Sequence, residues 1–277
     1  MYFRIGVRGH DYGRSTPREL AQAIKNAGFC STQLAISKGI TGMEQDIGRL
    51  TPGLCYEINQ AFSEANVELA VIGCYIEPVH PDEDTRRLHL HRFKEHLLYA
   101  RAMGGLVVGT ETTLYRAEES GREKAFQTLL KSIGELVEEA EKCGAIVGVE
   151  PVAAHTLNSP ELAARLLEII GSNHLQIIFD PVNLINTPEL VRNHDDLLDR
   201  CFDAFGERIM ALHCKDITVD QDGNMKETLL GKGMVNYDKL SGYLKARRPG
   251  LGLLREGADP ATADIDIAFL KSKFETV

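Results

Sequence analysis

The sequence predicts a single α/β domain, a (β/α)₈ TIM barrel that spans residues 1–277, and three observations support that prediction. Eight short apolar runs alternate with longer amphipathic segments. Eight such units divide the chain into repeats of about 35 residues, close to the usual size of this barrel. No glycine-rich phosphate turn follows the first apolar run, where residues 8–13 read Arg-Gly-His-Asp-Tyr-Gly. An open, doubly wound sheet, which is the competing fold, would carry a G-x-G-x-x-G turn there.

The eight apolar runs are rich in valine, isoleucine and leucine. That composition is typical of parallel strands that are covered by helices on both faces of the sheet. We therefore expect strands at residues 3–7, 29–36, 67–75, 106–108, 145–150, 175–180, 208–213 and 251–256.

The segments between these runs have the features of helices. A hydroxyl residue before proline is typical of a helix start, because the hydroxyl caps backbone N–H groups and proline lacks one that would be unpaired there. Such pairs stand at Thr16-Pro17, Thr51-Pro52, Ser159-Pro160 and Thr187-Pro188. Glycine tolerates the left-handed conformation that ends helices. The glycines expected to end helices are Gly28, Gly104, Gly144, Gly171 and Gly206.

The composition restricts the partners that the protein can have. A net charge of -9 repels the phosphates of nucleic acid, so we expect no nucleic-acid partner. The six cysteines lack the close spacing of a disulfide framework or a zinc knuckle, and we expect them to be reduced. The sequence opens without a signal-peptide core, and no apolar run is long enough to span a bilayer. These features predict a cytoplasmic protein with no membrane partner.

Four of the later strands end in a side chain that can bind a metal. These residues are Glu150, Asp180, His213 and Glu256. The carboxyl ends of barrel strands converge on one mouth, so residues distant in sequence meet there. Each residue alone could cap a helix or satisfy a hydrogen bond, but capping does not explain the same position in four consecutive units. Three carboxylates and one imidazole suit Mn²⁺, Mg²⁺ or Co²⁺ better than a structural thiolate zinc site does.

The sequence around these residues resembles a known family. Five short sequence motifs resemble the signature of the xylose isomerase-like TIM barrel superfamily, and within it the sugar phosphate isomerase/epimerase branch. The order of the H-x-K-D and G-x-G elements is fairly specific for the superfamily but is a weak guide to the substrate. The matching runs are Glu150-Pro, Asp180-Pro-Val-Asn183, His213-Cys-Lys215-Asp216, Gly231-Lys-Gly233-Met-Val-Asn-Tyr237 and Arg255-Glu256-Gly.

The resemblance implies a metal-dependent isomerase or epimerase of a small sugar or sugar phosphate. A divalent ion, Mn²⁺ before Mg²⁺, Co²⁺ or Zn²⁺, would be held by Glu150, Asp180, His213 and Glu256. The two glutamates would also be the acid/base catalysts, one removing a proton from carbon and the other returning it through a metal-stabilised enediolate. The resemblance further implies a homodimer or homotetramer that pairs through outer helices.

Three polar residues near these strand ends are candidates for substrate binding. His155 lies five residues after the glutamate of strand five. Asn183 follows the aspartate of strand six at a position where many relatives carry histidine, and it either binds a substrate hydroxyl or caps the loop. Lys215 lies on the same strand face as His213. It either neutralises an enediolate or phosphate, or pairs with a nearby acid.

Other polar residues have simpler interpretations. Lys232, between two glycines, either contacts a phosphate or is a solvated turn residue. Glu77 and Glu111 end strands three and four and either reach the site or have a simple solvent-exposed role, which is favoured. Arg255 points away from its neighbouring glutamate and is expected to be structural. The histidines within residues 86–101 are expected to belong to an ordinary outer helix.

Three other functions compete with the isomerase. A related lyase, an inosose dehydratase-like enzyme acting on a cyclic polyol, starts with the same proton abstraction and then expels a hydroxyl. DNA repair endonucleases on the same barrel look like enzymes with several metal ions and with extra histidines at earlier strand ends. Strands three and four of this sequence end without histidine. A sugar-binding or scaffold protein has little need of two acid/base glutamates.

Overall fold

The computed structural model describes residues 3–44 and 47–275 and contains a closed barrel of eight parallel strands. The barrel strands are β1 (Arg4–Arg8), β2 (Ser31–Ala35), β3 (Glu68–Gly73), β4 (Val107–Glu111), β5 (Ile146–Glu150), β6 (Leu175–Phe179), β7 (Ile209–Cys214) and β10 (Gly252–Arg255). Around the barrel they follow the order β1, β10, β7, β6, β5, β4, β3, β2, and β2 pairs again with β1. The predicted single-domain TIM barrel is therefore confirmed.

One antiparallel hairpin lies outside the barrel and was not predicted. Its strands are β8 (Asp216–Val219) and β9 (Met225–Thr228), and only Lys215 separates β8 from β7. The second strand is short, polar and exposed, so its sequence lacks the apolar run by which the barrel strands were recognised. The hairpin extends the loop that follows β7 at the carboxyl end of the barrel.

Helices connect the strands and cover the outside of the barrel. Short 3₁₀ helices lie at Gly9–Tyr12, Gly206–Arg208 and Pro260–Thr262. The α-helices are α1 (Pro17–Asn26), α2 (Ile36–Gly39), α3 (Pro52–Ala65), α4 (Glu83–Tyr99), α5 (Arg122–Cys143), α6 (Pro160–Ile170), α7 (Pro181–Leu184), α8 (Pro188–Arg192), α9 (Asp195–Phe205), α10 (Tyr237–Arg247) and α11 (Ala263–Phe274).

The predicted helix starts are present as side-chain caps. Each of the four hydroxyl residues before proline accepts a backbone N–H from the first turn of its helix, and Thr16 forms a full capping box with Glu19. At the other end, Gly144 (φ +66°) and Gly171 (φ +67°) close their helices in the left-handed conformation. Gly206 also ends its helix, α9, but not in the left-handed conformation. That glycine has φ −52° and begins a 3₁₀ helix that packs closely against Phe202.

Two hydrophobic clusters hold the fold. The larger one lies between the barrel and its helices, and a smaller one fills the barrel interior. Glycines in β4 and β5 make room for the interior Ile178, because a Cβ on Gly109 would lie 2.5 Å from the Ile178 Cδ1 atom. The filled interior leaves polar chemistry to the mouth above it. Among the helices described, none combines the length and apolar character needed to cross a bilayer.

Candidate metal centre and active site

Four neighbouring strands deliver the four candidate metal ligands to one side of the barrel mouth. Glu150 is the last residue of β5, and His213 lies in β7. Asp180 and Glu256 directly follow β6 and β10. Because β5, β6, β7 and β10 are consecutive around the barrel, their carboxyl ends meet.

The imidazole of His213 lies at the centre of this group. Its Nδ1 atom is 3.3 Å from Glu150 Oε2 and 3.1 Å from Glu256 Oε2. One possible ligand atom from each of Glu150, Asp180 and His213 lies within 4.8 Å of the other two, and all three residues are buried. Glu256 joins the group through its contact with His213. The structure thus brings Glu150, Asp180 and His213 into one compact group, and Glu256 borders this group beside His213.

Gln33, in the middle of β2, fixes the orientation of this imidazole. Its side-chain nitrogen donates to the Tyr75 hydroxyl at 2.9 Å, so its oxygen faces His213 Nε2 at 2.8 Å. Nε2 therefore donates to Gln33, and Nδ1 is the atom that faces the carboxylates and can bind a proton or a cation. Metal-binding histidines commonly donate their second N–H to such an oxygen. Gln33 was not identified from sequence.

The buried polar atoms of the site fit a hard divalent cation. His213 Nδ1 and Asp180 Oδ2 accept no hydrogen bond of normal geometry within residues 3–44 and 47–275, although Asp180 Oδ2 lies 3.1 Å from the ammonium nitrogen of Lys215. Asp180 Oδ1, by contrast, accepts the backbone N–H groups of Val182 (2.8 Å) and Asn183 (3.2 Å) at the start of α7. Helix capping therefore uses one oxygen of Asp180 and leaves the other facing the site. Such mixed oxygen and imidazole donors suit Mn²⁺, Mg²⁺, Co²⁺ or Zn²⁺.

Lys215 lies among the carboxylates and not at the solvent edge. Its Nζ atom is 3.1 Å from Asp180 Oδ2 and 2.9 Å from Glu256 Oε1. It also donates to Asn183 Oδ1 at 3.1 Å, and the Asn183 amide donates to Glu150 Oε1 at 2.6 Å. Of the two alternatives considered for Lys215, the ion pair with nearby acids is present. Asn183 links this ammonium group to the first glutamate.

Arg8, at the end of β1, holds the second glutamate from the other side. Its Nη1 atom is 2.7 Å from Glu256 Oε1, and its Nε donates to Asp11 Oδ1 at 2.9 Å. Asp11 in turn accepts the backbone N–H of Ala258, two residues after Glu256. Arg8 was not identified from sequence, although it ends a strand as the four candidate ligands do. It anchors Glu256 directly after the end of β10.

Burial and the charges of neighbouring side chains shift the pKa values of His213, Glu256 and Asp180. Burial opposes protonation of the His213 imidazole, but the facing carboxylates of Glu150 and Glu256 outweigh burial and raise its pKa to about 9. Burial also opposes ionisation of Glu256, but His213 and Lys215 outweigh it and lower its pKa to about 2. Burial raises the pKa of Asp180 to about 6, although Lys215 opposes the shift. A proton and a metal cation would therefore compete for His213 Nδ1.

Glu111 and His155 lie at the mouth on the far side of β5. His155 Nε2 is 3.7 Å from Glu111 Oε2. Burial raises the pKa of Glu111 to about 7, and the negative charges of Glu150 and Glu256 add to the shift. Of the two alternatives considered for Glu111, the structure favours a place beside the site, because Glu111 pairs in register with Glu150 while its side chain stays partly exposed. His155 thus lies beside Glu111, and its role in substrate binding stays a prediction.

The G-x-G loop after the hairpin binds a carboxylate of the chain itself. Asp216 accepts the backbone N–H groups of Gly231 (2.9 Å), Gly233 (3.0 Å) and Val235 (3.1 Å). A Cβ on Gly233 would lie 2.1 Å from Asp216 Oδ1, so glycine is required there for close approach. The N–H groups beside Lys232 are thus used inside the protein. This arrangement favours the turn-lysine interpretation of Lys232 over a phosphate contact.

The remaining candidates have structural environments. The buried Arg255 donates to Asp266 Oδ2 at 2.9 Å, as expected of a structural residue. Glu77 lies 3.9 Å from His80 on the β3 loop and contacts none of the four candidate ligands among the described residues. The histidine-rich segment forms α4, an outer helix.

A closed barrel with a carboxylate and imidazole cluster at its carboxyl-terminal mouth defines a TIM-barrel protein with a candidate metal centre. The sequence matches the family described as xylose isomerase-like TIM barrel over residues 21–273. The chain therefore belongs to this family, which confirms the resemblance seen in the sequence. No curated protein matches the chain.

Solved structures share the fold at low sequence identity. The 3-keto-D-glucoside 4-epimerase YcjR from E. coli is 19% identical with a TM-score of 0.74, covering 98% of this chain and 100% of that one. D-psicose 3-epimerase with D-tagatose from Clostridium cellulolyticum H10 is 13% identical with a TM-score of 0.75, covering 99% and 100%. The IOLI protein with a bound zinc atom is 13% identical with a TM-score of 0.73, also covering 99% and 100%.

Proposed function

We propose that the chain is a divalent-metal-dependent isomerase or epimerase of a small sugar or sugar phosphate. The observation that carries the proposal is the convergence of Glu150, Asp180, His213 and Glu256 at the mouth of the barrel. Family membership supports it, and two of the similar structures are sugar epimerases. The fold alone does not choose a function, so the weight rests on the residues of the site.

The proposed metal ligands are the two glutamates, Asp180 Oδ2 and His213 Nδ1. A bound divalent cation would polarise a sugar carbonyl and a neighbouring hydroxyl and so acidify the adjacent C–H bond. We favour Mn²⁺, and the same carboxylate and imidazole ligands can also bind Mg²⁺, Co²⁺ or Zn²⁺. The zinc atom in the IOLI protein is consistent with a metal on this fold.

We propose Glu150 and Glu256 as the pair of acid/base catalysts. They project from β5 and from the end of β10, the two outer strands of the four that carry the site, and they flank His213. One carboxylate can therefore remove a proton from carbon on one side of a substrate while the other returns it from the opposite side or to the next carbon. Such acid/base assistance contributes ~10²–10⁴-fold in rate.

The polar neighbours of the glutamates supply orientation and positive charge. Asn183 donates to one oxygen of Glu150, which leaves the other oxygen facing the site. The ammonium group of Lys215 contacts Asp180 and Glu256, and from there it can offset negative charge that develops on an enediolate oxygen. We propose Asn183, Lys215 and His155 as substrate-binding residues. The cytoplasmic location and the homodimer or homotetramer stay predictions from sequence.

Deuterium exchange tests the proposed reaction. The purified chain is incubated with Mn²⁺ in D₂O with D-fructose, D-psicose, D-tagatose, D-ribulose and their phosphates, and the products are followed by NMR. We expect deuterium at one carbon of at least one sugar, with a change of configuration or of carbonyl position. A product that has lost water would instead indicate the lyase reaction. No exchange with any sugar of the panel would refute the proposal.

A matched pair of variants identifies the catalytic carboxylate. Glu256→Gln should bind Mn²⁺ at saturating concentration and lose at least about 100-fold in turnover, because the amide cannot exchange the proton. Glu138→Gln changes an exposed glutamate of α5 in the same way and should behave as the wild type. Equal activity of Glu256→Gln and wild type would remove Glu256 from the mechanism.

A further inference from the structure

We propose that Glu111 and His155 form a specificity pair that binds a hydroxyl group of the sugar beyond the reacting carbons. The proposal deepens the proposed function and rests on it, because it places these two residues at the edge of the same substrate site. It assigns to Glu111 a role in choosing among sugars. Proton transfer stays with the two glutamates of the metal centre.

The register of β4 and β5 places Glu111 beside the metal centre. Glu111 pairs in register with Glu150, and β4 lies next to β5 on the side away from β6. In-register residues on neighbouring parallel strands project to the same face about 4.8 Å apart. Because the Glu150 side chain points into the mouth toward His213, Glu111 projects into the mouth as well. It extends the row of carboxylates by one strand.

Glu111 differs from the other acids of the mouth in being accessible and without a strong partner. Its side chain is 38% exposed, compared with 5% for Glu150. Among the described residues, its carboxylate forms no ion pair with lysine or arginine, and it lies 3.7 Å from His155 Nε2. A carboxylate that faces an open mouth with unused acceptor capacity is suited to bind the hydroxyl groups of a polyol.

Backbone hydrogen bonds fix the pair before any substrate arrives. The loops after β4 and β5 are joined by an isolated antiparallel bridge between Leu114 and His155. The N–H of Tyr115 donates to Ala154 O at 3.0 Å, and the N–H of Thr156 donates to Thr113 O at 2.9 Å. The distance between Glu111 and His155 is therefore set by a short ladder of backbone bonds. Such preorganisation favours selective binding.

Two other roles for Glu111, helix capping and metal binding, do not fit the geometry. It does not cap a helix, because the helix that follows, α5, begins at Arg122 and has Gly121 in the capping position. It is also absent from the cluster of Glu150, Asp180 and His213, whose atoms approach within 4.8 Å of one another. Its partly exposed carboxylate, beside Glu150 in register, is therefore available to a substrate at the mouth.

The test compares Glu111→Gln with wild type on sugars that each lack one hydroxyl group. D-fructose, D-psicose, D-tagatose, D-ribulose and their singly deoxygenated analogues are assayed with Mn²⁺. On the complete sugar at pH 8.5, where a Glu111 carboxyl group with a pKa of about 7 is ionised, kcat/KM should fall about 10- to 100-fold, the range for loss of one hydrogen bond to a charged group. On the analogue that lacks the hydroxyl bound by the pair, wild type and Glu111→Gln should be equal. Mn²⁺ affinity should not change.

Glu118→Gln is the matched control, because Glu118 is exposed on the same loop. An equal loss of kcat/KM on every analogue would overturn the proposal, because it would indicate a general effect on the site. No loss of kcat/KM on any sugar would overturn it as well. Where wild type binds a sugar without turning it over, the same comparison is made on Kd by calorimetry. If wild type exchanges protons but Glu111→Gln shows no selective loss, only the specificity pair is refuted. If wild type neither binds nor converts any sugar, the proposed function fails as well.

Discussion

Replacing Asp216 with asparagine tests how the loop beside the active site is held. The four backbone bonds of this carboxylate divide evenly between its oxygens. Oδ1 accepts the N–H groups of Ile217 and Val235, and Oδ2 accepts those of Gly231 and Gly233. An amide has one acceptor oxygen, so its NH₂ group would face two N–H donors whichever way it turned.

The expected loss of stability follows from the two missing bonds. A hydrogen bond to a charged group contributes about 1.5–3 kcal/mol, so Asp216→Asn should lower the free energy of unfolding by about 3–6 kcal/mol. For a chain of this size each kcal/mol shifts Tm by about 2–4 °C, so Tm should fall by at least about 6 °C. The loop should also loosen near Lys215, whose carbonyl accepts the Tyr237 hydroxyl at 2.7 Å.

Thermal and urea unfolding followed by circular dichroism measure this effect. Asp222→Asn is the control, because Asp222 is an exposed aspartate in the turn of the same hairpin. It should match wild type within about 0.5 kcal/mol. An Asp216→Asn variant within about 1 kcal/mol of wild type would refute the reasoning, because an amide would then satisfy four converging donors as well as a carboxylate does.

Two other predictions concern the metal centre. Gln33→Leu removes the acceptor of the His213 Nε2 hydrogen bond. It should weaken Mn²⁺ binding about 10- to 100-fold, as measured by an EPR titration. Unchanged Mn²⁺ affinity would show that the imidazole does not need this hydrogen bond. Mn²⁺ affinity should rise with pH between 5.5 and 8.5, because the cation must displace a proton from His213, whose pKa is about 9. The rise should be steeper below pH 6, where Asp180, with a pKa of about 6, also takes up a proton. Affinity independent of pH would contradict the proposed ligands.

The barrel and the four candidate ligands could be predicted because their signals are local and repeated. Each barrel strand is a short apolar run, and each candidate ligand occupies the same place at the end of such a run. Glu150 and Asp180 are also followed by proline, which marks where the chain leaves the strand. A pattern that recurs in four consecutive units is visible without knowledge of any contact in space.

The residues that support the ligands could not be found in the same way. Gln33 is one of three polar residues inside the fully buried strand β2, and its partner His213 is 180 positions away. Arg8 reaches Glu256 only because β1 closes the barrel against β10. Glu111 was recognised at a strand end, but its position in the mouth depends on the β4–β5 register. These relationships arise from barrel closure, which a linear pattern does not record.

The most direct test of the proposed metal centre is anomalous X-ray diffraction from crystals of this protein soaked in Mn²⁺. We predict one strong peak per chain, about 2.0–2.2 Å from Asp180 Oδ2, from His213 Nδ1 and from an oxygen of each glutamate, Glu150 and Glu256. A peak at another place in the molecule, or no peak at a Mn²⁺ concentration that supports sugar exchange, would contradict the account.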